Sequence, residues 1–181
     1  NPRDMQSLCY LAASKENRPI YVNRQLFDAD FVLPIGCLHP EDTPGYAGLQ
    51  SGLFPVFSDE ATQQRFRAPP AAESAVHRRR RHEEADEAAW LLGIQFTLQV
   101  VPGPGDSLLH VLAGEVRSVA RRGRALCRAA WHVRVPCQAG LVVAAIDGGP
   151  DQQTWENRGR ALFAASQAVA DDGDIVLCTD L

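Results

Sequence analysis

The run LVVAAIDGGPDQQTWENRGRALFAASQAVADDGDIVLC, residues 141 to 178, narrows the possible folds more than any other stretch. Its apolar opening, 141 to 146, reads as a buried strand that enters a loop of Asp, Gly and Pro. A helix is predicted over 154 to 170, followed by a DDGD turn and a second strand, IVLCT. Strand, loop, helix, strand is a βαβ unit, which places the chain in the α/β class. The helix N-terminus faces the Asp-Gly-Gly loop, where unpaired backbone N–H groups favour an anion. The spacing is not the G-x-G-x-x-G dinucleotide fingerprint.

A chain of 181 residues with 45% hydrophobic and 22% charged residues can bury a real core. The formal net charge of −4 argues against nucleic acid as the main partner. No apolar run approaches the ~20 residues that span a bilayer, so no membrane partner is expected. The five cysteines have no C-x-x-C spacing, which fits reduced thiols in a cytoplasmic protein and argues against a zinc site. Of 18 basic residues only Lys15 is a lysine, so the chain has almost no amine for covalent chemistry. Both ends read as cuts through a larger protein.

Ahead of the βαβ unit, short β-rich runs lie at 20 to 22 and 31 to 35. The second is nearly continuous apolar, as a strand covered on both faces would be. Residues 37 to 55 follow as a loop at a strand end, the first place to look for a ligand. Within it, GYAGLQSGLFP carries three glycines, Gly45, Gly48 and Gly52, and no charge. LHPED groups His39, Glu41 and Asp42, residue types that move protons or bind metal, and a solvated polar turn explains them as well.

A short helix is expected near 58 to 69, opened by Ser58, and a longer one over 71 to 93. In the longer helix, Arg78 to Arg81 are expected to pair with Glu83, Glu84, Asp86 and Glu87 one turn on. IQFTLQVV alternates as a strand should, and PGPGDS turns it into a hairpin partner, LLHVLAG. A helix over 115 to 131 places Val116, Val119, Ala120, Leu126 and Ala130 on one side. His110 and His132 flank that unit and read as structural.

The order of these elements resembles the nickel-pincer-dependent lactate racemases and their relatives, a family of 2-hydroxyacid racemases and epimerases. RPIYVNRQLFDADFVLPIG is similar to the family's P-V-x-x-N-R, A-D, strand and Gly segment, with Pro19, Asn23, Arg24, Ala29, Asp30 and Gly36 in place. NPRD, LAGEV, RRGRAL and VRVP followed by LVVAAIDGGPDQQTWENRGRAL look like further family segments in the same order. The resemblance covers nearly the whole chain. It implies part of an N-terminal α/β domain over 1 to 134, then the first βαβ unit of a second α/β domain over 135 to 181.

The family holds its nickel-pincer nucleotide through a lysine in a glycine loop that GYAGLQSGLFP resembles in length and ends. By that resemblance Gly45, Gly48 and Ser51 would bind the cofactor, with Ser51 standing where the family has its anchoring lysine and Gln50 where it has an arginine. Glu41 takes the place of the acid/base histidine, with His39 two positions away as the alternative catalytic residue. The nickel-ligand histidine would fall near Arg67, so the metal ligands are unknown. Asn157 and Arg160 match a Gln and a Lys on the second-domain helix and would bind substrate; Arg keeps a cation for a carboxylate. The resemblance therefore implies a divergent isomerase acting at C2 of a 2-hydroxy acid. The alternative is a relative that has lost the covalent site and binds a small anionic metabolite or nucleotide without racemisation. Oligomeric state is not legible from the residues.

Overall fold

The computed structural model describes residues 2–40, 43, 46, 48–67, 75–105 and 107–180. The chain begins with a hairpin of β1 (Leu8–Ala13) and β2 (Pro19–Asn23), paired antiparallel. Its turn closes through the Ser14 N–H on the Arg18 carbonyl at 2.7 Å. Asn17 sits at φ 58°, the left-handed region that Asn tolerates better than most residues. The Asn23 side chain then caps a single helical turn, α1 (Arg24–Phe27), by accepting from the Gln25 N–H at 2.8 Å.

The central sheet has the order β3-β4-β5, built from β3 (Ile35–Cys37), β4 (Phe96–Pro102) and β5 (Leu108–Glu115). β3 lies parallel to β4, and β4 and β5 form the expected antiparallel hairpin. The strand expected at 31 to 35 is displaced: residues 31 to 34 are irregular and pairing starts only at Ile35. Pro34 has no N–H to give a ladder, and among the described residues only β4 pairs with this segment. Phe31 is consequently 67% exposed instead of covered on both faces.

Between β3 and β4 run α2 (Glu60–Phe66) and α3 (Ala75–Leu91). The cap of α2 is Asp59, which accepts from the Thr62 N–H at 3.1 Å; Ser58 is buried and donates to the Tyr21 carbonyl at 2.7 Å. α3 turns Ala85, Ala88 and Ala89 toward Ile20, Val22, Leu53, Phe54, Phe66 and Ile94 to form the larger core. Three alanines in a row of contacts let the helix approach closely, and Phe54 meets Phe66 edge-on at 5.5 Å. The arginines of α3 do not simply pair along their own helix. Arg79 does bond Glu83 at 2.8 Å, but Arg80 reaches Glu16 and Arg81 is buried, donating to the Phe66 carbonyl at 2.6 Å. Glu84 binds Arg65 of α2 through both guanidinium nitrogens. The run thus fastens α3 to α2 and to the first hairpin, because those surfaces lie within a long side chain's reach.

α4 (Val116–Trp131) starts on a Glu115 cap, whose carboxylate accepts from the Arg117 and Ser118 N–H groups at 2.9 and 2.8 Å. Those bonds hold the Glu115 carboxyl below the usual range. Its buried stripe is Val119, Gly123 and Cys127, whereas Ala130 is exposed. Val116 and Leu126 pack against the two cores as expected, but hydrophobicity alone does not reveal that the middle of this face is a glycine. A Cβ on Gly123 would stand 2.3 Å from Leu38 Cδ1, so the helix touches the smaller core of Leu38, Val101 and Cys127 through bare backbone.

The βαβ unit consists of β6 (Ala139–Ala145), α5 (Trp155–Ser166) and β7 (Val169–Cys178), with β6 and β7 parallel. The DDGD segment is not a turn but lies within β7. There a Cβ on Gly173 would press on the Ala139 and Gly140 carbonyls at 3.0 and 2.9 Å, where the register shifts. Leu141 and Val143, expected buried, are 57% and 62% exposed among the described residues, because α5 covers one face of this pair only. No helix of the described residues is long and apolar enough to cross a membrane.

Two glycine substitutions separate packing from propensity. Gly123→Val should lower stability by roughly 1–3 kcal/mol through overpacking against Leu38. Gly159→Ala, in α5 where a Cβ meets nothing within 4 Å, should raise it by up to about 1 kcal/mol. Urea unfolding of the two variants checks both signs.

Candidate functional site

The parallel β3–β4 pair delivers its C-terminal end to the glycine-rich loop, and the space between them is a cleft of about 440 Å³. Its walls are mostly apolar, including Leu26, Val32, Leu49 and Phe57. Five groups of chemical interest also line it: Cys37, His39, Ser51, Gln99 and Arg160. Ser51 and Arg160 are 109 positions apart and come from different sheets' surroundings, so tertiary structure alone assembles the set.

The loop is held from behind. Successive turns pair Ser51 N–H with the Gly48 carbonyl, and Leu53 and Phe54 N–H with the Gln50 carbonyl. Phe54 and Leu53 plant this segment in the larger core. Tyr46 is buried between two histidines, edge-on to His39 at 5.4 Å and to His82 at 6.2 Å. His82 Nε2 also lies 3.3 Å from the Tyr46 carbonyl. Gly48 adopts φ +86°, and a Cβ there would touch the His82 ring at 3.6 Å. Gly48 therefore serves the turn and its contact with α3, and it does not border the cleft. Gln50, in the place of the family's arginine, is buried with neither end of its amide hydrogen-bonded.

Arg160 reaches the cleft from the second turn of α5. The helix begins at a Thr154 cap, which accepts from the Asn157 N–H at 3.2 Å. Ahead of it, buried Gln153 donates to the Ile146 carbonyl at 3.1 Å and accepts from Thr179 Oγ1 at 2.9 Å, tying the ends of β6 and β7 to the helix start. The Arg160 guanidinium is steadied from below by Glu156 Oε1 at 2.6 Å and Asn157 Oδ1 at 3.2 Å. Asn157 spends its amide N–H on the Gln152 carbonyl at 2.8 Å and lies outside the cleft lining, so it positions Arg160 rather than facing the cavity.

His39 feels this cation. Burial lowers its pKa first, Arg160 lowers it further, and Glu156 opposes both. The imidazole is thus uncharged near neutrality, able to accept or donate one proton. Asp86, one turn from His82 on α3, is pushed the other way: burial raises its pKa against the pull of His82, Arg124 and Arg117.

Among the sequence-derived candidates, then, His39, Ser51 and Arg160 share one cleft. Glu41 and Gly45, with Asp42, lie outside the described residues. Gln99, Cys37 and the Tyr46–His82 support were not legible as site residues. Glutamine in an alternating strand carries no signal of its own, and His82 sits within a charged run. A lysine-anchored nickel-pincer nucleotide does not fit these residues. Ser51 has no amine for a thioamide, and Lys15 lies in the exposed turn between β1 and β2. No group of three or more His, Cys, Asp or Glu among the described residues is arranged to hold a metal ion.

No protein-family model and no curated protein matches the sequence. Among solved structures the chain is similar to the lactate racemase apoprotein from Thermoanaerobacterium thermosaccharolyticum, with a TM-score of 0.81 at 18% identity. The superposition takes in 99% of this chain and 44% of that one, so the chain spans less than half the length of the protein it matches. The fold is therefore lactate-racemase-like.

Because Arg160 holds down the His39 pKa, Arg160→Gln should raise it toward the ordinary histidine value, burial still keeping it below. An NMR titration of the His39 ring reads this directly. The depressed pKa also means the unfolded chain takes up this proton first as pH falls. Stability should drop below the normal histidine range, down to the lowered folded value, and the Arg160→Gln variant should narrow that window.

Proposed function

We propose that the cleft binds a small 2-hydroxy carboxylate, a small anionic metabolite, without a lysine-anchored cofactor. The observation that carries this reading is that Arg160 and the Ser51 end of the glycine loop border the same mostly apolar cavity. A guanidinium can take a carboxylate through two parallel hydrogen bonds, and its bonds to Glu156 and Asn157 aim it at little further entropic cost. The apolar walls suit a short alkyl group, and Ser51 and His39 supply neutral polar contacts. A cavity of this size admits a small acid rather than a polymer. The lactate-racemase-like fold supports the same substrate class.

A second reading, isomerisation at C2, is favoured by His39. A neutral imidazole beside a carboxylate-binding cation is placed to take the proton of a substrate hydroxyl. Inverting C2 by hydride transfer further requires a hydride acceptor, and Ser51 has no amine to anchor one covalently. Binding is therefore the primary reading, and turnover the secondary one.

Calorimetry with L-lactate on the intact protein tests the first reading. Arg160→Gln should weaken binding about 10- to 100-fold, the range for hydrogen bonds to a charged group, and Arg160→Lys should recover part of it. Equal lactate affinity in the wild type and Arg160→Gln would remove the reading. Chiral chromatography of L-lactate incubated with the wild-type protein, with and without added nickel, separates the two: a D-isomer signal abolished in His39→Gln supports turnover.

A further inference from the structure

β4 buries the wrong set of residues for an ordinary strand. Its alternation would turn Phe96, Leu98 and Val100 inward, yet Thr97, Gln99 and Val101 are the buried residues and Phe96 is 50% exposed. Two adjacent inward positions are therefore polar, and both are 1% exposed. Burying polar groups costs free energy unless each finds a partner, and here Thr97 bonds the Pro34 carbonyl and Gln99 bonds Thr97.

Those bonds have only one possible direction. The Pro34 carbonyl can only accept, so Thr97 Oγ1, 2.9 Å away, donates its single proton there. Thr97 Oγ1 is then left with lone pairs alone, and the Gln99 group 2.8 Å from it must be the Nε2 amine. The Gln99 carbonyl is thereby turned away from Thr97. Gln99 Oε1 lies on the open side of Gly36, 3.2 Å from where a Cβ would stand, and Gly36 and Gln99 both border the cleft. The hydrogen bond of the Gln99 side chain runs from Nε2, and Oε1, which is not among the fully buried unpartnered atoms, stays accessible from the cleft.

We propose that Gln99 Oε1, locked as an acceptor by the Pro34–Thr97 relay and given room by Gly36, selects ligands whose C2 bears a hydroxyl donor. This rests on the carboxylate-binding reading above, with Arg160 taking the anionic end. A 2-hydroxy acid donates to Oε1. A 2-oxo acid presents a second acceptor against it, and the unsubstituted acid leaves it unpaired. A ligand that covers Oε1 without donating to it strips away its water, and that penalty makes the discrimination larger than the bond alone would give.

The test compares L-lactate, pyruvate and propionate on the intact wild-type protein and on Gln99→Leu and Thr97→Val, with circular dichroism confirming that each variant folds. The wild type should prefer lactate over both other acids by about tenfold or more. Gln99→Leu should bring lactate and propionate to equal affinity, because lactate loses its bond to Oε1 and propionate no longer leaves that carbonyl unpaired. Thr97→Val frees the amide to turn its amine toward the cleft, so the preference for lactate over pyruvate should shrink or reverse, an effect no merely structural role would produce. Equal wild-type binding of all three acids overturns the Gln99 assignment and leaves the anion site standing. Retained discrimination in folded Gln99→Leu overturns it too. Binding of none of the three removes both this inference and the reading it rests on. If Thr97→Val does not fold, the Gln99→Leu comparison decides.

Discussion

Three residues of parallel pairing, Ile35–Cys37 on Leu98–Val100, determine where everything else can stand. The Pro34 carbonyl accepts from both the Leu98 N–H and the Thr97 hydroxyl, so the strand is anchored before it formally begins. Leu38 N–H continues the ladder onto the Val100 carbonyl at 2.8 Å. Leu38 itself is buried against α4 at Gly123, and the next residue, His39, is thereby brought to the mouth of the cleft. Shift the pairing by one residue and the side chains of β3 exchange faces, because a strand repeats every two residues. His39 and Gly36 would then no longer meet Gln99 and the loop in their present relation.

The glycine-rich loop depends on that strand but is stabilised elsewhere. Its tail enters the larger core as Leu53 and Phe54, and Phe57 accepts the Asn23 N–H at 2.7 Å, which links it to the first hairpin. Its head is packed between rings, with Tyr46 against His39 on one side and His82 of α3 on the other. A loop fixed at both ends can present Ser51 to a ligand without paying for its ordering on binding. An amine at position 51 could bond a ligand covalently. With serine there the loop suits a hydrogen bond.

Much of this was readable beforehand where local chemistry is strong. The β4–β5 hairpin, the βαβ unit and the helix over 116 to 131 follow from alternation, turn residues and propensity, which act within a dozen residues. Where reading failed, distant partners decided. Phe31 to Pro34 look like a buried strand, but an apolar run pairs only where a neighbour offers carbonyls and N–H groups. Arg80 and Arg81 look like a self-paired helix face until Glu16 and the Phe66 carbonyl come within reach. Gly123 breaks the apparent apolar face of α4 because close approach, not hydrophobicity, selects a glycine.

The sequence by itself determined the α/β class, the position of the glycine loop, and the absence of an amine at Ser51, since these are properties of neighbouring residues or of residue identity. Only the tertiary structure decided that Arg160, His39, Ser51 and Gln99 border one cavity, that β4 turns its polar side inward, and that the Gln99 amide gives its nitrogen to Thr97 and sets its oxygen against Gly36. Those are statements about which groups meet across long separations. Their direction is set by hydrogen-bond donors and acceptors that no periodicity in the chain records.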